Sequence, residues 1–346
     1  MRVIQLGPFP PPHGGVQTNL VAIRNQLRSR GHRAAVIHLT RHRRHDADEV
    51  FYPKTALETA WLLLSEPADI LHLHIGGDLS NRLLALGLFC SLVPGRKSVL
   101  TFHSGGYPSS SAGQAITYRS PAARILRRFD AVIAVNEEIA GFFRRCGVRD
   151  ERLNVISPHA SSDTRAELPE PLSSFYAAHD PVLLSVGLLE PEYALPLQIS
   201  ALGQIRQRRP RAGLIMIGSG SQDSDLRSAI TRTSYSADLL LPGDVPHEVT
   251  LRAIRDCSIL LRTTHYDGDS ISVREALDLG TPVIATDNGM RPPGCRLIPS
   301  PSLEPLVEAI EDTLLAGARS RTYTRGCEGT KNLDAVLAIY ESLMRR

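Results

Sequence analysis

Asp267 and Glu275 stand eight positions apart in the stretch Asp-Gly-Asp-Ser-Ile-Ser-Val-Arg-Glu. An apolar run ending Ile-Leu-Leu-Arg262 precedes this stretch, and a Gly280-Thr-Pro break follows it. The run reads as a buried strand, and the residues from about Ser270 as a helix that Gly280 stops. The amides of Gly268, Asp269, Ser270 and Ile271 then fall at a helix N-terminus. Unpaired N–H groups and the helix dipole favour a phosphate or a sugar hydroxyl there. Glu275, more than a turn inside, can accept two hydrogen bonds from a cis-diol such as that of a ribose. Two other readings fit the same residues: an Asp/Ser N-cap followed by an exposed helical glutamate, or a metal-binding Asp-x-Asp pair. The chain offers no clustered His/Asp partner for the metal reading, and on these residues alone the cap and the ligand-binding readings both stay open.

Histidines are the second candidate group. His103 closes the run Lys-Ser-Val-Leu-Thr-Phe-His, and the carboxyl edge of a parallel sheet is where ligands bind. His72 and His74 lie in Asp-Ile-Leu-His-Leu-His-Ile and are expected to face opposite sides of the sheet.

These residues need a scaffold, and its outline is readable. Short apolar runs rich in β-branched residues alternate with helical patterns along the chain. One such helix carries Leu20, Ile23 and Leu27 on one face and is closed by Gly31. This rhythm predicts an α/β fold with parallel sheets. A Pro-, Ser- and acid-rich stretch around 158–180 interrupts it, after which a second series begins. At 346 residues the chain exceeds the ~250–300 at which one core stops growing. The expected plan is two tandem doubly wound, Rossmann-like domains. Residues 1–160 and 181–328 form the domains, 161–180 a linker with a short helix, and 329–346 a closing helix. The ligand is expected in a cleft between the domains.

Composition narrows the class. Five scattered cysteines, with no CxxC pair, argue for reduced thiols and against a disulfide framework or a zinc site. The start Met-Arg-Val-Ile-Gln-Leu enters a strand at once, without the pattern of a signal peptide. The longest apolar stretch, Leu83–Val93, is far short of the roughly 20 residues of a spanning helix, so a cytoplasmic protein is expected. Net charge is +3, but residues 1–160 carry 20 Lys/Arg against 12 Asp/Glu, and the remainder 19 against 24. The basic first half suits an anionic partner such as a membrane surface, or serves solubility alone. Nothing points to nucleic acid.

Acid-x7-Glu followed by Ala-Leu-Asp-Leu-Gly-Thr-Pro-Val-Ile-Ala resembles the signature of the retaining group-1 glycosyltransferases, family 4, of GT-B fold. PPHGGVQTNL, ADILHLH, SVLTFHSG, RFDAVIAVNEEIAGFF and LLSVGLL…GLIMIGSG resemble further family segments, in order, over nearly the whole chain. The resemblance implies donor binding by Gly14, Gly15, Gly187, Gly218, Gly268, Asp269, Ser270, Ile271 and Glu275. Glu275 would hold the ribose, Asp267 through Ile271 the sugar and its phosphate, and His103 the sugar near the reaction centre. Gly14-Gly15 could equally be a plain tight turn.

The departures matter. The family's second domain usually opens Gly-Arg-Leu-x-x-x-Lys-Gly, whose cations grip the diphosphate. Here Gly187-Leu-Leu-Glu-Pro-Glu-Tyr-Ala194 lacks both. Arg262, Arg274 and Arg291 are the expected replacements, with Arg262 first. The implied activity is metal-independent, cofactor-free transfer of a sugar from a nucleotide sugar, UDP before GDP, to a glycan or lipid-linked acceptor in polysaccharide or glycolipid synthesis. The enzyme would be peripheral on the inner membrane face. The rivals are a non-catalytic nucleotide-sugar-binding subunit and a sugar-nucleotide epimerase.

Overall fold

A computed structural model describes residues 1–10, 14–40, 48–158, 166–265, 269–316 and 328–345. The chain forms two compact units. The first takes in Met1–Pro11, Gly15–Ala160 and Glu328–Arg346, and the second is built on Ser161–Cys327.

The first unit holds a parallel seven-stranded sheet. Its strands are β1 (Arg2–Gly7), β2 (Arg33–His38), β3 (Val50–Phe51), β4 (Ile70–Ile75), β5 (Lys97–Phe102), β6 (Ala131–Ala134) and β7 (Leu153–Val155), in the order β3-β2-β1-β4-β5-β6-β7. Helices cover both faces, as a sheet with two apolar faces requires. On one face Leu62, Leu63, Phe129, Phe142 and Phe143 pack against Ile4, Leu6, Leu71 and Leu100. On the other, Ile23 and Leu27 of the helix Gly15–Ser29 meet Val3, Ile70 and Val99. The C-terminal helix Glu328–Arg345 joins this second face through Val336, Leu337, Tyr340 and Leu343.

The second unit has six parallel strands: β8 (Val182–Val186), β9 (Gly213–Ile217), β10 (Leu239–Gly243), β11 (Ile259–Arg262), β12 (Val283–Thr286) and β13 (Arg296–Ile298). They run β10-β9-β8-β11-β12-β13. The helix Leu172–Ala178, in the Pro- and Ser-rich stretch, buries Leu172 and Phe175 against this unit's core.

The short strands β3, β7 and β13 are not expected from the sequence pattern. All three lie at sheet edges, and their residues are mostly half-exposed or exposed. Such strands show neither a continuous apolar run nor a clear alternation. A second correction concerns His72 and His74. They lie on the same face of the sheet, with ring centroids 4.0 Å apart. Successive side chains on a strand alternate, so residues two apart share a face.

Candidate functional site

In open doubly wound sheets the ligand edge lies beyond the strands' carboxyl ends, where the strand order reverses. In the second unit that switch point falls between β8 and β11, which are neighbours in the sheet. Glycines line the adjoining rim. Gly187 and Gly218 follow β8 and β9 with φ of +153° and +138°, and a Cβ on Gly218 would stand 1.8 Å from the Gly187 carbonyl oxygen. Only glycine allows so close an approach at such a backbone angle. The loop after β8 is held by Glu190, whose carboxylate accepts from the Ser221 amide at 2.9 Å and from the Ser221 hydroxyl.

After β11 the chain turns into the helix Ile271–Asp278, with Ser270 at the N-cap position. Ser270 gives the helix no side-chain cap; its Oγ lies 3.2 Å from Ser272 Oγ instead. The first amides are therefore left without the usual side-chain acceptor. Gly280, φ +71°, ends the turn beyond the helix.

Glu275 is only 3% exposed, which removes the exposed-glutamate reading. Its Oε1 accepts from His247 Nε2 at 2.7 Å. His247 heads the helix His247–Asp256, and its pKa is raised. Burial pulls it down, but the attraction and hydrogen bond of Glu275, aided by Glu248, outweigh that pull. A buried carboxylate needs such a partner. Sequence reasoning missed His247, because the two residues belong to different helices 28 positions apart.

The three arginines are all engaged. Arg262, 7% exposed, donates from Nη1 to the Val186 carbonyl at 2.9 Å, and its guanidinium lies 4.6 Å from the Tyr193 ring. It thus spans the switch point from β11 to the end of β8. Its Nη1 comes within 2.8 Å of where a Gly187 Cβ would be, so Gly187 makes room for it. Arg274 Nε donates to both Asp269 oxygens, at 2.6 and 2.7 Å. Arg291 reaches the Thr286 carbonyl at 2.9 Å and Thr264 Oγ1 at 2.6 Å. Among the described residues, buried polar atoms without a partner include Gln222 Oε1, Thr286 Oγ1 and Asn288 Nδ2. These three follow β9, end β12 and follow β12, respectively. Arg24 Nε, Gln198 Oε1 and Glu311 Oε1 are likewise without a partner among the described residues, although buried groups of this kind normally find one.

In the first unit, the helix Gly15–Ser29 begins directly after Gly14. A Cβ on Gly76, just past β4, would meet Val16 Cγ2 at 2.4 Å, so glycine is needed for this packing. His103 follows β5, and its Nε2 lies 3.4 Å from His74 Nδ1. His74 Nε2 contacts Gln5 Oε1 at 3.1 Å, while His72 contacts Tyr340 Oη at 2.5 Å and Thr101 Oγ1 at 2.7 Å. Burial pushes the pKa of His103 down to about 3 and that of His74 well below its ordinary value.

Residues 174–293 match the family model for glycosyl transferases group 1, and residues 13–160 match that for glycosyltransferase family 4. Each half of the chain thus contains a match to a glycosyltransferase family model. Its two parallel-sheet units make the GT-B fold, shared at low identity with several solved structures. Anabaena HepE, solved with UDP-glucose, is similar at a TM-score of 0.71 and 19% identity, over 100% of this chain and 99% of that one. The sucrose-phosphate synthase of Thermosynechococcus elongatus is similar at 0.65 and 16%, over 100% of both chains. A UDP-forming trehalose-phosphate synthase from Burkholderia xenovorans is similar at 0.70 and 12%, over 100% and 99%. No curated protein matches the sequence.

In this glycosyltransferase the second unit carries Gly187, Gly218, Asp269, Ser270, Ile271, Glu275, Arg262, Arg274 and Arg291 at or next to the carboxyl edge of its sheet. Asp267 and Gly268 lie outside the described residues. Gly15 and His103 lie at the corresponding edge of the first unit, and Gly14 directly precedes its first helix.

Proposed function

We propose that the protein is a retaining glycosyltransferase that moves a sugar from a nucleotide sugar, a UDP-sugar before a GDP-sugar, to a glycan or lipid-linked acceptor. The second unit would hold the donor, and the first the acceptor. The carrying observation is Glu275, a carboxylate buried at the switch-point edge and held by His247 beside a helix end that lacks a side-chain cap. A carboxylate in that place suits the two hydroxyls of a ribose, and the uncapped amides suit the sugar and its phosphate. UDP is favoured because the similar Anabaena protein was solved with UDP-glucose and the Burkholderia xenovorans enzyme is UDP-forming.

No residue here is assigned as a nucleophile; the leaving phosphate oxygen would help to deprotonate the acceptor. The developing diphosphate charge would be met by helix amides and by Arg262, whose planar fork suits phosphate oxygens. Donor activation without a metal is part of the reading. It stands if transfer persists in EDTA, and loss of activity in EDTA that Mn2+ or Mg2+ restores would overturn it. The basic first half suits a cytoplasmic enzyme resting on anionic lipid in polysaccharide or glycolipid synthesis.

Thermal shift with a panel of UDP- and GDP-sugars, followed by transfer assays on the donor that stabilises the fold, tests the core claim. A second reading, a donor-binding subunit without turnover, draws on Leu188 and Tyr193, which stand where the family has two cations, and on Arg262, whose guanidinium is tied to Val186 and Tyr193. Donor binding without hydrolysis or transfer would favour that reading.

A further inference from the structure

We propose that Gln5 and His74 are positioning residues that lock His103 in one neutral tautomer, protonated on Nε2, with a bare Nδ1 to accept a hydrogen bond from a sugar hydroxyl. The relay starts at a backbone carbonyl. Gln5 Nε2 donates to the Leu20 carbonyl oxygen at 3.1 Å, and that oxygen can only accept. The amide orientation of Gln5 is thereby set, and its Oε1 faces His74 Nε2 at 3.1 Å as an acceptor. His74 Nε2 must therefore carry a proton. His74 is 2% exposed, and burial keeps it neutral, so its Nδ1 is bare.

His103 Nε2 lies 3.4 Å from that bare nitrogen. The contact is long, yet its sense is determined, because the opposite tautomer of His103 would set two lone pairs against each other. With Nε2 protonated and burial holding the ring neutral, His103 Nδ1 is left bare, and it has no partner among the described residues.

The fold delivers this relay. Gln5 pairs in register with His72, and His74 with Thr101, so Gln5, His72, His74, Thr101 and His103 share one face of the sheet. His72 does not compete for His74, since its two nitrogens contact Tyr340 and Thr101. Gly7 leaves the space, for a Cβ there would stand 3.1 Å from His74 Cβ. A neutral ring with an open acceptor cannot offset phosphate charge; it selects a hydroxyl. That last step rests on the glycosyl-transfer reading, whereas the tautomer follows from the hydrogen bonds and from burial of the two rings.

The test is two-bond 1H–15N correlation NMR of the full chain labelled in histidine, which separates the two neutral tautomers. At neutral pH, His74 and His103 are expected each to show a bare Nδ1 and a protonated Nε2. In Gln5→Met, which removes the acceptor, both are expected to populate both tautomers, and kcat for sugar transfer to fall on the order of tenfold, about one lost hydrogen bond. Thr101→Val, which touches only His72, is expected to leave the His103 signature unchanged.

A His103 protonated on Nδ1, an even mixture, or an imidazolium in the native protein overturns the proposal. So does an unchanged His103 signature in a folded Gln5→Met. If that variant does not fold, the native spectrum decides. The expected tautomers in a protein that transfers no sugar would sink the functional reading and leave the relay standing.

Discussion

Glu275 and His247 form a pair whose consequences differ by observable. Because Glu275 is proposed to take a ribose diol, Glu275→Ala is expected to weaken nucleoside diphosphate binding by about 1–3 kcal/mol, the range for a buried polar group left unpaired. Calorimetry showing unchanged affinity would remove it from the site. For stability the sign follows from His247, whose pKa is raised above its ordinary 6.5. The contribution of a group raised by folding is complete below the unfolded value and lost as pH rises through the folded one. Wild type is therefore expected to lose more Tm than His247→Ala as pH rises above the ordinary histidine value of 6.5. Parallel pH profiles would show that the pair does not form in solution. Arg262→Ala is expected to cut turnover at least about tenfold, in line with loss of a charge-stabilising group. The fold should persist at a lower Tm, because Arg262 also ties β11 to the Val186 carbonyl. Normal transfer by that variant would move the cation to Arg291 or Arg274.

Among the elements, the helix Ile271–Asp278 lacks a side-chain cap at its first turn. The helix Glu137–Arg145 is capped by Asn136, whose side chain accepts from the Ile139 amide at 2.9 Å. Ser270, in the equivalent place, makes no such bond. Losing a true N-cap costs about 1 kcal/mol, so Asn136→Ala should lower stability by roughly that amount, and Ser270→Ala by less than about half of it. Equal losses in urea melts would mean that Ser270 caps its helix and that the amides are not held open for a ligand. The same economy of side chains marks the rim, where a Cβ on Gly218 would meet the Gly187 carbonyl and one on Gly187 would meet the side chains of Tyr193 and Arg262.

At the scale of the whole molecule, charge is unevenly distributed: residues 1–160 carry 20 Lys/Arg against 12 Asp/Glu, and the rest 19 against 24. Among the described residues no helix is long and apolar enough to cross a membrane. If the basic half serves docking, binding to vesicles rich in anionic lipid should fall steeply with salt, because exposed charges are screened within ~8–10 Å at physiological ionic strength. Trp61, the chain's one tryptophan and 65% exposed, supplies an emission signal for the titration. Equal partition onto neutral and anionic vesicles at low salt would leave the arginines as solubility charge.

Local pattern was enough for the scaffold. Leu20, Ile23 and Leu27 recur at helical spacing, and ten apolar runs between turn signals became strands, because burial on both faces imposes a continuous apolar stretch. The segment from Ser270 to Gly280 was legible as a helix for the same local reasons. Val50–Phe51, Leu153–Val155 and Arg296–Ile298 were not, since an edge strand is defined by its neighbour rather than by its own residues. The sites divide similarly. Asp267, Glu275 and the paired glycines stand out in the sequence as sugar-nucleotide candidates through their resemblance to the family's motifs. Only tertiary structure could pair His247 with Glu275, Arg262 with Tyr193, and Gln5 with His74. Each of these contacts joins residues on separate elements, and which polar groups meet is decided by how sheets and helices pack, at distances that no local spacing encodes.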